Sequence, residues 1–417
     1  MQCARAAVIE AWVQGYRSAP TNHIDEARAV AVDALGNVVV TGHFRNGTGQ
    51  DLKLGMYTAK YAAVNGALLW ERRDENGLRP EALAFDGRGN VIVTGGNFYT
   101  VRYAATDGGV QWKQRHTGPS DGYVHAHVLA VDDSDNVVVA GTESNGTNSL
   151  FYTAKYAASD GALVWEQRFT APNNHGYPSG IAIDRNNNVA ITGVFHNSNG
   201  DTEPFKEIAH HYTLKLTATS GALLWEQHYS RAVYGWADFH GPDIAVDRSG
   251  NVIIAEAHDS PDTGTGGLYL AKYAAADGEV LWEKGPNASG NWAAQTVAVD
   301  GKGNVAVLGQ EYTAKYAATD GALIWERRYG ETGRDGVTPT SVAFDDSGNV
   351  LMTGTTWKVI DNQRAESGYY TAKYAPPNGD LLWEKRFDVP KLDRLPSVPH
   401  VNTLSLRLAL GPRHRCD

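Results

Sequence analysis

Two histidines two positions apart, His125 and His127, would project both imidazoles from the same side of an extended strand, a spacing that suits a shared transition metal. His175, His240 and His258 complete the set of candidate metal ligands, and Glu143, Tyr177, Trp236, Asp238, Asp243 and Trp357 are candidates for ligand binding. A divalent metal held there would polarise a bound anion as a Lewis acid while a second histidine or a tyrosine moved a proton. Acting on a carboxylate sugar or another anion, such a site would make a metal-assisted enzyme, with no single catalytic residue assigned; analogy to other enzymes, not these residues, suggests a polysaccharide lyase or hydrolase. Other motifs are negative. Asp184 to Asn188 opens like an EF-hand loop, but Val189 replaces its glycine and Phe195 stands where its glutamate should bind. There is no glycine-rich phosphate loop, no His-Glu-x-x-His and no Gly-x-Ser-x-Gly, so no nucleotide cofactor is expected.

The elements that must position these residues are repeats. The phrase "YTAKYAATDGALIWERRY" (Tyr312 to Tyr329) has near copies at six other places, and its tryptophan recurs at 12, 70, 112, 165, 225, 282, 325 and 383. Fixed words at a variable period place the insertions in particular loops. Each unit predicts four short strands: "AVAVD", "NVVVTG", "YTAKYA" and "ALLWER", rich in β-branched and aromatic residues and bounded by Gly, Asn or Asp. The aspartate ending the first strand is expected to accept hydrogen bonds from its own turn. Asn65-Gly66, Asp107-Gly108 and their counterparts predict two-residue hairpins between strands three and four. That register sets Lys60 opposite Glu71 and Tyr61 opposite Trp70, with the second unit breaking the rule by placing Arg102 opposite Lys113.

A four-stranded sheet with two faces to bury must stack on copies of itself, and a closed ring leaves no end unit exposed. The expected fold is therefore all-β, a seven-bladed β-propeller over residues 29–387, or eight blades with one partial. Residues 1–28 are expected to add an outer strand around Trp12, and 388–417 form a proline-containing tail. Antiparallel order puts the one-two and three-four turns, which are short and nearly identical, at one end of each blade. The other end takes the variable connections, and ten of the 14 histidines fall in or beside them: His23, His43, His125, His127, His175, His196, His210, His211, His240 and His258. A rigid scaffold with variable loops is where binding residues concentrate.

The words "AVAVDALGNVVVTG", "VAVDGKGNVAVLG" and "SVAFDDSGNVLMTG" resemble the bacterial β-propeller repeats called SBBP, which are similar to NHL repeats. "KYAATDGALIW" is similar to the tryptophan-docking motif of quinoprotein propellers, but the adjacent cysteines found beside a quinone in those proteins are absent, so no quinone is expected. The resemblance implies a propeller in a bacterial surface or extracellular setting and says almost nothing of activity.

A formal net charge of -10 disfavours nucleic acid, which needs clustered Lys and Arg. No apolar run approaches the length of a membrane span, and the first residues lack the apolar core of a signal peptide. Cys3 and Cys416 are the only cysteines, to be joined as a closing disulfide or left as two free thiols. The leading expectation is a monomeric, noncatalytic scaffold that presents variable loops to a protein or carbohydrate. The metal-assisted enzyme and a structural domain of a larger adhesin are the alternatives.

Overall fold

The computed structural model describes residues 26–46, 53–75, 78–119, 122–146, 148–170, 174–197, 206–234, 241–260, 265–285, 294–309, 312–329, 335–360 and 363–388. They form seven four-stranded sheets, each following chain order. The fold is an all-β, seven-bladed propeller, the blades covering 26–74, 80–115, 123–169, 174–234, 243–284, 294–328 and 335–388. One compact unit holds blades 1 to 4, the first strand of blade 5 and the turn 274–279; another holds the remaining strands of blade 5 with blades 6 and 7. Within each unit the first strands of successive blades pack side by side, so they are the inner strands. The segment around Trp12, both cysteines and the proline-containing tail lie outside the described residues. Among the described residues no helix is long and apolar enough to cross a membrane.

The second strand of each unit reads as an unbroken apolar run because both faces of its sheet are covered. Val91, Ile92 and Val93 are fully buried, as are Val137, Val138 and Val139. The cores lie between blades: Val138, Phe151 and Trp165 of blade 3 pack with Val189, Ile191, Leu214 and Leu216 of blade 4.

The uniform end of the blades is held by one repeated network. Asp33 Oδ1 accepts from the backbone N–H of Leu35 and Asn37, which closes the first turn as expected, while Oδ2 accepts from the Asn37 side chain. The same Oδ2 pairs with Lys60 Nζ at 2.9 Å, and both side chains are almost wholly buried. Lys60 also donates to the carbonyl of Ala105 in blade 2, and so does the Trp70 indole. Burial raises the Asp33 pKa, but hydrogen bonds from Lys60 and Asn37 outweigh it and hold the carboxyl below the ordinary range. The buried pair recurs as Lys155 with Asp132, Lys215 with Asp184 and Lys315 with Asp300, and Lys373 pairs with Asp345 where about a quarter of each side chain is exposed.

The hairpin register differs from the one expected. Lys60 faces Trp70 and Ala59 faces Glu71, with a one-residue shift between Lys60 and Tyr61. The turn is longer than two residues: Gly66 N–H bonds to Ala62 O, and of Asn65 and Gly66 only the glycine is left-handed. The lysines are thereby taken from the glutamates and given to the aspartates, and the freed Glu71 accepts from Tyr57 Oη at 2.8 Å. The second unit obeys this corrected rule. Arg102 replaces lysine as the partner of Asp86 and donates to the Ala158 carbonyl of blade 3. Lys113 occupies the glutamate position, and Tyr99 Oη turns to Asp74 instead.

Blade 5 carries a different exception. Five blades have a glycine in the second strand on which a first-strand carbonyl rests; a Cβ on Gly141 would lie 2.1 Å from His125 O. Blade 5 has Glu256 in that place, 1% exposed, and burial pushes its carboxyl well above the usual range. Its first strand, Asp243–Val246, is the shortest of the seven.

The turn glycines test this packing. Gly161 has φ +73, and a Cβ there would meet the Trp112 ring at 2.8 Å. Left-handed backbone costs an L residue about 1–2 kcal/mol and overpacking about 1–3 kcal/mol. Gly161→Ala is expected to lower the unfolding free energy in urea by about 2–4 kcal/mol; a loss near zero would contradict the contact.

Candidate functional site

A second regularity sits on the inner strands. Among the described residues, the first strands of blades 1, 2, 3, 4, 6 and 7 each carry a one-residue bulge. The extra residues are Arg28, Glu81, His127, Ser179, Gln295 and Thr340, each five positions before the aspartate of its unit. A bulge leaves its extra residue outside the ladder and re-aims the side chain. Every one of the six is polar, and no two are alike.

In blades 1 to 4 these residues join into a row. Arg28 Nη1 lies 3.3 Å from Glu26 Oε1, and its Nη2 lies 3.6 Å from Glu81 Oε1. The same Glu81 oxygen is 3.3 Å from His125 Nε2 in blade 3. The His125 and His127 rings are 4.9 Å apart, and His127 is followed by Tyr177 of blade 4 at 6.0 Å. Tyr123 stacks beside His125 at 5.8 Å. His127 Nε2 is bonded to Thr142 Oγ1, which donates to the Gly176 carbonyl. Ser179 donates to Pro242 O.

The electrostatics of the row follow from burial and neighbours. Burial raises the pKa of Glu81, but the His125 hydrogen bond and the charges of Arg28 and His125 outweigh it, so the carboxylate stays ionised. His127 is pushed down to about 4, first by burial and then by His125, with Glu81 opposing. At neutral pH it is an uncharged imidazole.

A separate network surrounds Glu143. This buried carboxylate receives Arg168 Nε at 3.0 Å and Nη2 at 3.2 Å, and His116 Nε2 also bonds to it. His116 lies flat on Tyr152 at 4.0 Å, and the Arg168 guanidinium sits 4.8 Å from the same ring. Phe98, fully buried, meets Tyr152 edge-on at 4.9 Å. To do so it closes a tight turn with Asn97 in which both are left-handed, φ 54 for Asn97 and φ 48 for Phe98. Such backbone is strained for a bulky residue and persists only where its surroundings impose it. Glu143 is thus committed to joining blades 2 and 3.

The other expected residues are dispersed. Tyr177 stands in the row, with His196 6.2 Å from its ring, and Asp243 begins the first strand of blade 5. His175 is exposed and bonds through Nδ1 to Ser149. Trp357 is a strand residue rather than an exposed loop aromatic: it is 8% exposed, and its indole covers Gly336, whose Cβ would lie 2.3 Å from Cζ2. His258 lies in the second strand of blade 5, its side chain outside the described set. Trp236, Asp238 and His240 are outside the described residues. Among the described residues no three His, Cys, Asp or Glu side chains converge in a way that could hold a metal. Arg28, Glu81 and Ser179 were not expected, although a signal exists: the position five before each aspartate changes residue type in every unit.

The half-buried, desolvated imidazole gives a pH test. The folded pKa of His127 lies below its ordinary value of 6.5, so its contribution to stability is complete above pH 6.5 and is lost as pH falls through about 4. NMR titration is expected to place this ring near 4, and His127→Asn should flatten the stability profile between those limits. A ring titrating at its ordinary value would contradict the desolvated position beside His125.

The profile of the family described as outer membrane protein assembly factor BamB matches residues 57–190 and 212–400. No curated protein matches the sequence. Among solved structures, the C-terminal WD40 domain of Sif2 is similar at a TM-score of 0.50 and 9% identity, over 87% of this chain and 87% of that one. BamB from Moraxella catarrhalis aligns at a TM-score of 0.41 and 13% identity, over 86% of this chain and 96% of its own. The WD40 likeness is one of fold alone. With the profile spanning most of its length, the chain belongs to the family of the outer membrane protein assembly factor BamB.

Proposed function

We propose that this protein is a noncatalytic scaffold that holds a protein partner on the variable ends of blades 1 to 4. The observation that carries this is the contrast between the two ends. At the uniform end the same polar groups recur and are spent on one another and on the next blade. On the inner strands a different polar side chain stands at each bulge, and four of them occupy consecutive blades. Repetition there would serve stability; variation serves recognition. The family takes its name from an assembly factor, and a scaffold role accords with it. A protein is favoured over a carbohydrate because the row offers one aromatic face that is more than half exposed, Tyr123, rather than a platform of several, and Trp357 is buried.

Site-specific photocrosslinking in the protein's own cells tests the assignment of faces. A crosslinking amino acid at exposed Thr117, on the connection between blades 2 and 3, is expected to yield a discrete protein adduct. One at Val64, 89% exposed in a uniform turn, should yield none. An adduct from Val64 without one from Thr117 would place the working surface at the opposite end.

A further inference from the structure

Glu81 is an ionised carboxylate with one oxygen in use. Both of its contacts, to Arg28 Nη2 and to His125 Nε2, end on Oε1. Oε2 has no partner among the described residues, and the side chain keeps 22% of its surface open. Arg28 does not cancel its charge, because the guanidinium is shared with Glu26 at a shorter distance. Beside it stands Tyr123, 55% exposed, with its ring parallel to His125 and its hydroxyl close enough to feel the Glu81 charge. Blade 2 contributes only the tight Gly96 to Phe98 turn between its second and third strands, and Gly96 bridges to His125. The connection between the second and third strands of blade 2 is therefore short beside the carboxylate.

We propose that Glu81 Oε2 and the open face of Tyr123 form an acceptor for an organic cation, the ammonium or guanidinium of a lysine or arginine side chain from the protein partner. A carboxylate oxygen with a free lone pair and an adjacent aromatic face are the two groups that recognise such a cation, through a charge-assisted hydrogen bond and through the ring quadrupole. The chain's net charge of -10 draws cationic partners toward it at long range. The row's other groups are already engaged: His127 with Thr142 and Ser179 with Pro242. Among the described residues of the row, Glu81 Oε2 is the carboxylate oxygen left for the cation. This site rests on the scaffold proposal for its partner, but it is testable without that partner.

The probes are N-acetyl-lysine methylamide and N-acetyl-arginine methylamide, with the uncharged norleucine analogue as control. In the wild-type protein the cationic probes are expected to shift the His125 and Tyr123 ring resonances saturably, and norleucine is not. Glu81→Gln, which keeps shape and hydrogen bonding to His125, should weaken cation binding at least tenfold, and Tyr123→Leu severalfold. No saturable shift in the wild type, an equal shift by norleucine, or undiminished binding in Glu81→Gln would each overturn the site. If the Thr117 adduct forms while the cationic probes give no saturable shift in the wild-type protein, the cation site falls and the scaffold proposal stands. If the probes bind as expected but no adduct forms at Thr117, the reverse holds.

Discussion

The structure depends on a buried lysine that reaches out of its own blade. Lys215 is 1% exposed, and its ammonium has three donors and three acceptors: Asp184 Oδ2 at 2.9 Å, Gly250 O at 2.7 Å and Ala275 O at 3.1 Å. Asp184 belongs to the same blade, whereas the two carbonyls belong to turns of blade 5. Trp225 donates its indole N–H to the same Ala275 carbonyl and lays its ring on Gly278. A buried charge is tolerated only when paired and fully hydrogen-bonded, and here the pairing is completed by the neighbouring blade. Each of blades 1 to 6 makes this donation to the blade that follows it, which is why the repeat words are so nearly invariant.

That constraint divides the blade. At the uniform end Asp, Asn, Lys, Trp and the turn glycine are each held by a partner, so a substitution must be answered by another, as Arg102 answers for the missing lysine of blade 2. The inner strands escape it at one position. The bulge removes a residue from the ladder, and its side chain is free to vary in type without disturbing the backbone pairing. Arg28, Glu81, His127 and Ser179 are the result, and the glycine beneath each bulge makes the close approach of the two strands sterically feasible.

Blade number and strand order were legible in the sequence because they depend on repeated words and on period, both of which survive without side-chain detail. The hairpin register was not. Opposite charges at Lys60 and Glu71 suggested a pair, yet a turn with a single left-handed glycine shifts the strands by one, and an aspartate in another strand is the better partner for a buried ammonium. The two candidate histidines on blade 3 do come together, since strand alternation alone places His125 and His127. Their partners Glu81 and Arg28 come from other blades and were hidden by the same repetition that revealed the fold, because a position that differs in every unit looks like noise until the bulge gives it a common place. Trp357 shows the converse: an aromatic in a divergent stretch is not thereby exposed, and this one fills the space that Gly336 leaves.

The central claim is that an ion pair completed by the neighbouring blade holds the repeats together, and a double-mutant cycle on Asp184 and Lys215 tests it most directly. Removing one partner of a buried pair leaves the other uncompensated, so Lys215→Met and Asp184→Asn should each cost about 3–5 kcal/mol of unfolding free energy. The double variant should lose far less than the sum, because no unpaired charge remains. Small or additive losses would contradict the account.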